Sequence, residues 1–574
     1  MKKIRMILAG LIFLACLAIF LDFTGVMATY LGWVAKIQFM PAILSLNVLI
    51  FLVLVALTVV FGRIYCSVIC PLGIFQDLFA GLRGKKKAYK PWKHTKAMRA
   101  VRYGALGVFA ILTIAGVMSI VSIFEPYSAF GRIAASILAP AYDGINNIFA
   151  NIAQTHESYA FYGVDVWLRG TASLILAIIT FVGLAIAGLM TGRGYCTTFC
   201  PVGTLLGLLS KFSIFRVRIQ ADKCKNCHAC EHKCKSHCID LDTHSVDPER
   251  CVTCFNCLSA CKFDAISYTP SLKDMLKKAD QNANRPQDKA DETPNAPDSN
   301  KENKDEALDS NKETKEENAP EKRENSEEKA IAQDESKDTK SEDSSENHEE
   351  PITESDDSQA PNATRRAFIT ATATAAAGAA LCPALAIAEG AADGELAEVS
   401  RKSVYPRENA ITPPGSNGWL SMKKHCTGCQ LCIRACHNKV LRISDDAAQL
   451  LRPVMSFERG YCRPTCNDCS QVCPTGAIKP ITLEQKSSIQ IGRAIWRQDI
   501  CLSAKGTHCR ACGRACPNGA ITFTVTQTAE GKKAKIPVVD LEHCIGCGAC
   551  EYVCPARPLA AIHVEGIMQH HEIS

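Results

Sequence analysis

Six blocks of four closely spaced cysteines take up 24 of the chain's 31 cysteines. Four blocks repeat C-x2-C-x2-C-x3-C: Cys224, Cys227, Cys230, Cys234; Cys251, Cys254, Cys257, Cys261; Cys426, Cys429, Cys432, Cys436; and Cys544, Cys547, Cys550, Cys554. Two variants fall between the last pair: Cys462, Cys466, Cys469, Cys473 and Cys501, Cys509, Cys512, Cys516. Three thiolates at such intervals wrap one face of an iron–sulfur cube, and the fourth reaches a neighbouring cube. Six blocks therefore predict six [4Fe–4S] clusters in a chain that moves electrons. Zinc ribbons use isolated C-x2-C pairs a dozen or more residues apart. Disulfide frameworks belong to small secreted domains and have no reason to repeat this spacing. Turns such as Cys473-Pro474-Thr475-Gly476 and Cys516-Pro517-Asn518-Gly519 follow the fourth ligand, proline fixing φ and glycine permitting the reversal.

The 574 residues suffice for several domains, and 64 basic against 58 acidic residues lend no support to nucleic-acid binding. Four apolar runs, Met6–Phe20, Ile43–Phe61, Leu106–Phe124 and Ala172–Met190, lie near the N-terminus. The last three approach the ~20 residues that span a bilayer. The first has a signal peptide's basic start but no small-residue cleavage site before the next run, which favours an anchor. The mixed stretch Ser128–Ala153 reads as interfacial or extramembrane. Arg83, Lys85, Lys86, Lys87, Lys90, Lys93, Lys96 and Arg99 crowd one loop, against Arg132 and Arg169 in the next. The excess of positive charge places the first loop, the N-terminus and the first two cysteine blocks in the cytoplasm.

From Ser271 to Thr364 the chain is a mixture of Lys, Glu, Asp, Asn and Ser without an aromatic residue. Such a segment buries too little apolar surface to offset its ordering entropy, and disorder is expected. Thr364-Arg365-Arg366-Ala367-Phe368 follows, leading an alanine-rich apolar run to Ala388. It reads as a twin-arginine export signal or as a fifth membrane helix. Clusters assembled in a reducing cytoplasm need export of a folded domain, which favours the first reading. Either reading puts the later residues outside the membrane.

Two further pairs stand where apolar runs end, in Gly62-Arg63-Ile64-Tyr65-Cys66-Ser67-Val68-Ile69-Cys70-Pro71-Leu72-Gly73 and Gly192-Arg193-Gly194-Tyr195-Cys196-Thr197-Thr198-Phe199-Cys200-Pro201-Val202-Gly203. Helical spacing aligns Cys66 with Cys70 and Cys196 with Cys200. These four are metal-ligand or redox-thiol candidates. Burial as small apolar residues is the alternative, which duplication of the whole motif weighs against. The runs carry no Asp, Glu, Lys or Arg in their interiors, so no proton path is evident. His156 and Asp165 in the outer loop are read as solvated residues rather than proton carriers.

Residues 1–270 resemble the NapH family of membrane ferredoxins, and residues 362–574 resemble the NapG/MauM family. The resemblance rests on the two C-x3-C-P motifs, the paired cluster motifs, the arginine pair and the stretch Tyr461-Cys462-Arg463-Pro464-Thr465-Cys466-Asn467-Asp468-Cys469. It implies a multi-domain fold. An α-helical membrane domain of four helices plus a leader or anchor helix carries two α+β ferredoxin-like [4Fe–4S] domains. The expected divisions are a membrane domain at 1–215, a cytoplasmic two-cluster domain at 216–270, a linker at 271–362, an export or anchor segment at 363–388 and a periplasmic four-cluster domain at 389–574.

Pairing after the family's manner joins Cys224, Cys227 and Cys230 with Cys261, and Cys251, Cys254 and Cys257 with Cys234. In the C-terminal half it nests the blocks. Cys426, Cys429 and Cys432 take Cys554, Cys544, Cys547 and Cys550 take Cys436, Cys462, Cys466 and Cys469 take Cys516, and Cys501, Cys509 and Cys512 take Cys473. Cys238 is treated as a bystander at a turn. The implied function is passage of electrons from membrane quinol to a periplasmic reductase of the molybdopterin, nitrate-reductase kind or a c-type cytochrome subunit, in a bacterial inner membrane. A rival comes from FixG/CcoG-type membrane ferredoxins, which share the C-x3-C-P motifs and are linked to copper reduction and cofactor maturation.

Overall fold

The structure, a computed structural model, describes residues 1–83, 91–95, 97–158, 160–167, 169–270, 402–446, 449–527 and 533–573. The linker, the segment at 363–388 with Arg365 and Arg366, and Lys85, Lys86, Lys87, Lys90 and Lys96 lie outside the described residues. Residues on both sides of the linker belong to one compact unit.

The first apolar run forms α1 (Lys2–Leu21). The second is interrupted: a short helix, Phe39–Leu44, precedes α2 (Val48–Phe61), because Leu46 turns left-handed at φ 55° and the Asn47 side chain caps α2 through the Ile50 N–H. After the first C-x3-C-P motif comes α3 (Pro71–Arg83). The third run breaks at Gly116, with φ 73°, into α4 (Arg99–Ile114) and α5 (Met118–Phe124). The stretch read as interfacial is helical throughout, as α6 (Pro126–Ile133), a wider turn, and α7 (Ala139–Thr155). Every residue of α6 is buried, packed against α3 and the fourth run, α8 (Thr171–Thr191). The second motif leads into α9 (Pro201–Ser210). Only α1 and α8, among the described residues, are long and apolar enough to cross a membrane.

Charge enters the helical interior from the connections rather than from the runs. Arg63, Arg132 and Arg193 are fully buried, as are Glu125 and Asp143 to within 3%. Arg63, Glu125 and Arg193 lie within three residues of the end of a run, and Arg132 and Asp143 in the stretch expected to be interfacial.

In the first cysteine-rich domain β1 (Phe215–Ile219) pairs with β4 (Ile266–Pro270) around the hairpin of β2 (Ile239–Asp240) and β3 (Ser245–Val246). In the C-terminal domain β5 (Leu441–Ile443) pairs with β6 (Pro453–Met455), and β8 (Ile521–Gln527) with β9 (Lys533–Val539). There β7 (Ile489–Trp496) pairs with β10 (Ile562–Glu572), returning the end of the chain to the domain's middle. All these pairs are antiparallel. The two domains cap opposite ends of the helices. Tyr268 bonds the carbonyl of Phe61 at the end of α2, and Arg193, after α8, bonds Lys235. At the far ends, Arg434 bonds the carbonyl of Leu21, which closes α1, and Asp445 accepts from Ala172, which opens α8.

Candidate metal centres

Each regular block builds its ligand loop by the same backbone device. The residues two and four positions after the first cysteine have positive φ: Asn226 and His228, Thr253 and Phe255, Gly428 and Gln430, Gly546 and Gly548. Positive φ at alternate positions turns N–H groups inward, into a concavity that suits an anion. Holding a non-glycine residue there costs on the order of 1–2 kcal/mol, which implies a compensating partner for the loop. The two variant blocks lack the device: Asn467 and Arg510 are at φ −129° and −136°.

In the first domain Cys224, Cys227 and Cys230 line a hollow of ≈ 320 Å³ whose fourth cysteine is Cys261. Cys234 acts electrostatically on Cys251, Cys254 and Cys257. The structure thus brings together the exchanged sets expected for this domain. Cys238 departs from its expected role as a bystander. It is buried, its sulfur lies 3.5 Å from that of Cys234, and it also bonds Cys251. Its hydrogen bond holds the Cys234 thiol below the ordinary range of a cysteine.

The C-terminal blocks pair as neighbours, not nested. Cys544, Cys547 and Cys550 share a hollow of ≈ 330 Å³ with Cys516, and Cys501, Cys509 and Cys512 share one of ≈ 380 Å³ with Cys554. Cys473 acts on Cys426, Cys429 and Cys432, while Cys436 acts on Cys462 and Cys469. The reason is local: one hairpin, β5–β6 or β8–β9, folds each block onto the next along the chain. Nesting would require closing far longer loops.

Burial pushes the thiols of Cys426, Cys466 and Cys512 up to about 11 and that of Cys547 to about 12. Left free they would stay protonated at neutral pH, so a metal must displace their protons. Backbone N–H groups already point at the sulfurs: Gly428 to Cys426 at 3.4 Å, Ile478 to Cys473 at 3.4 Å and Ala561 to Cys554 at 3.2 Å. Such bonds tune cluster potentials. The sulfur chemistry, the anion-seeking loops and the hollows fit iron–sulfur clusters, which exchange single electrons when bound.

Cys66, Cys70, Cys196 and Cys200 are buried together, with Cys70 acted on by the other three. Cys66, Cys70 and Cys200 share one continuous buried cluster with Cys254 of the first domain and Cys429 of the second. Asp165 ion-pairs with Lys439 of the C-terminal domain, and His156 is exposed. Sequence reading missed Arg63, Arg193 and Gln76 beside the four thiols. The repeated Gly-Arg dipeptide ahead of each motif was the available signal.

Two histidines make the C-terminal domain sensitive to acid. His563 stacks on Tyr405 with ring centroids 3.6 Å apart, and burial with Arg407 and Arg497 nearby lowers it to about 4. Burial and His571 lower His570 to about 4 as well. Unfolded histidine titrates near 6.5. The unfolded chain therefore binds more protons between these values, and stability complete above pH ~6.5 is lost as pH falls toward 4. Melting by calorimetry should move to lower temperature across that window, with a shallower dependence in His563→Gln. An unchanged slope in the variant would clear His563 of this role.

A family described as 4Fe-4S binding domain matches residues 45–90 and 173–220, each enclosing one C-x3-C-P pair. One described as 4Fe-4S dicluster domain matches 425–477, which spans two neighbouring blocks, and 505–557, which spans the last two apart from Cys501. The methylamine utilization ferredoxin-type protein MauM of Methylorubrum extorquens is 35% identical over 152 residues, 25% of this chain and 68% of that protein. The ferredoxin-type protein NapG of Escherichia coli is 32% identical over 174 residues, 28% of this chain and 75% of that one. Ferredoxin-type NapF of the same organism is 31% identical over 154 residues, 27% and 85% of the two chains. No solved structure matches.

Proposed function

The chain belongs to the ferredoxin-type iron–sulfur electron-transfer proteins of the NapG and MauM kind, and from that premise we propose that it conducts electrons across a bacterial inner membrane from quinol to a reductase outside. The observation that carries the reading is the placement of two cysteine-rich domains at opposite ends of one helical bundle, in which four more thiols are buried. Quinol gives up two electrons and two protons; the electrons enter the chain singly, and the protons leave to water. Six clusters on the six blocks carry them. The acceptor is a periplasmic molybdopterin reductase of the nitrate-reductase kind, reached directly or through a c-type cytochrome subunit. Residues 271–362 link the two halves of the chain, and Arg365 and Arg366 direct export of the C-terminal domain.

The test uses membranes holding the full chain under anaerobic conditions. A reduced menaquinol analogue is expected to generate the paramagnetic signals of reduced clusters, and a quinol-site inhibitor to abolish them. Signals that appear with dithionite but never with quinol would reject the quinol donor.

A further inference from the structure

The two C-x3-C-P repeats meet as a pair and exchange arms. Gly73 and Gly203 bring each following helix down onto its own preceding turn. A Cβ at Gly73 would lie 2.5 Å from the carbonyl oxygen of Cys66, and one at Gly203 2.5 Å from that of Cys196. The arginines then cross over. Arg193 of the second repeat donates to the Cys66 carbonyl at 2.5 Å, and Arg63 of the first donates to the Cys196 carbonyl at 3.0 Å. Cys66, Cys70, Cys196 and Cys200 lie inside this clasp.

The clasp holds positive charge and donor groups that nothing in the protein satisfies. Arg193 is neutralised by Asp77 at 2.8 Å. Arg63 is fully buried, and its hydrogen bonds go to the carbonyls of Glu249 and Cys196 and to the Cys66 sulfur at 3.7 Å, none to a carboxylate. Its Nε has no hydrogen-bond partner. Nor does Nε2 of Gln76, a fully buried residue whose Oε1 accepts from the Cys196 thiol at 3.0 Å. Buried cations and orphaned donors of this kind call for an anion. A cube on four thiolates is one. The Gly203 N–H already donates to the Cys200 sulfur at 3.3 Å, as donors do to cluster ligands.

The place of the four thiols gives the site a role. Toward the first domain, Arg193 feels both Cys196 and Cys254. Toward the second, Glu125 acts on Tyr65 and Tyr195, beside the thiols, and on Cys429. We propose that Cys66, Cys70, Cys196 and Cys200 jointly hold one [4Fe–4S] cube, shared by the two repeats, which links the inner and outer domains electrically. One electron enters it and one leaves, with no bond made or proton moved. The bridging role rests on the conduit reading above; the ligand set does not.

Iron and acid-labile sulfide, measured on anaerobically purified full chain, test the ligand set. Seven cubes require about 28 iron atoms per chain and six require about 24. Cys66→Ser with Cys196→Ser should remove about four iron atoms and one-seventh of the Mössbauer cluster area. Should that variant fail to fold, Arg63→Gln decides. Loss of the buried cation should shift one redox component to lower potential and leave the others in place. Iron at about 24 with copper or nothing on the thiols, or an Arg63→Gln titration identical to the parent, would overturn the proposal. Quinol-driven reduction can fail while the seventh cube is present, so the two readings fall separately.

Discussion

Cys516→Ser is expected to strip the cube on Cys544, Cys547 and Cys550 and to leave the one on Cys501, Cys509 and Cys512 in place. The hollow lined by Cys544, Cys547 and Cys550 receives Cys516, and the neighbouring one receives Cys554. Cys554→Ser should therefore have the converse effect. Iron should fall by about four atoms in each variant, the content of one cube. Non-additivity identifies the partner. Cys516→Ser combined with Cys547→Ser should lose no more iron than either change alone, since both empty one cube. Combined with Cys466→Ser, it should lose about eight, because two cubes go. The nested arrangement reverses the pattern: Cys516 and Cys466 would then share a cube and lose about four together. Iron assay with Mössbauer area on the purified full chain separates the outcomes.

That pairing marks the boundary of what spacing can reveal. Blocks such as Cys426–Cys436 were legible because three ligands on one face of a cube demand a fixed local geometry. Which block supplies the fourth ligand depends on the chain between blocks. The strands of the β5–β6 hairpin, between residues 437 and 461, are three residues long and offer little alternation to read. The helices show the same division. Hydropathy located Ile43–Phe61 and Leu106–Phe124, yet an average over nineteen residues is blind to one left-handed residue at Leu46 or Gly116. The turn chemistry was present in Asn47 and Gly116, weaker than the apolar signal around it. The clasp at Arg63 and Arg193 was hidden differently: a charged residue at the end of an apolar run ordinarily faces water. Only the meeting of the two repeats makes these arginines interior.

Asp143→Asn should be the most damaging single change at the junction of the helices with the C-terminal domain. Asp143 on α7 accepts two bonds from Arg434 at 2.6 Å, with both side chains at most 5% exposed. Arg434 also reaches the carbonyl of Leu21, so one guanidinium ties two helices to the loop that carries Cys432 and Cys436. Removing the carboxylate strands a buried charge, which typically costs about 3–5 kcal/mol. Asp165→Asn breaks a second ion pair among the described residues of this junction, but Asp165 is 67% exposed, and an exposed pair is worth about 0–1 kcal/mol. Limited proteolysis of the junction, followed in detergent, should show faster cleavage in Asp143→Asn and parental rates in Asp165→Asn. Asp143→Leu with Arg434→Met should recover much of the loss, because a buried pair replaced as a unit by apolar side chains is often neutral. The same variants connect docking to conduction. Ser128 on α6 bonds the carbonyl of Thr427 at 2.6 Å, two residues before Cys429. A domain loosened at Arg434 withdraws that cysteine from the helices, so quinol-driven reduction of the C-terminal clusters should slow in Asp143→Asn while dithionite still reduces them all. Equal rates in the variant and the parent would mean that electrons reach the C-terminal domain by a route that does not depend on this contact.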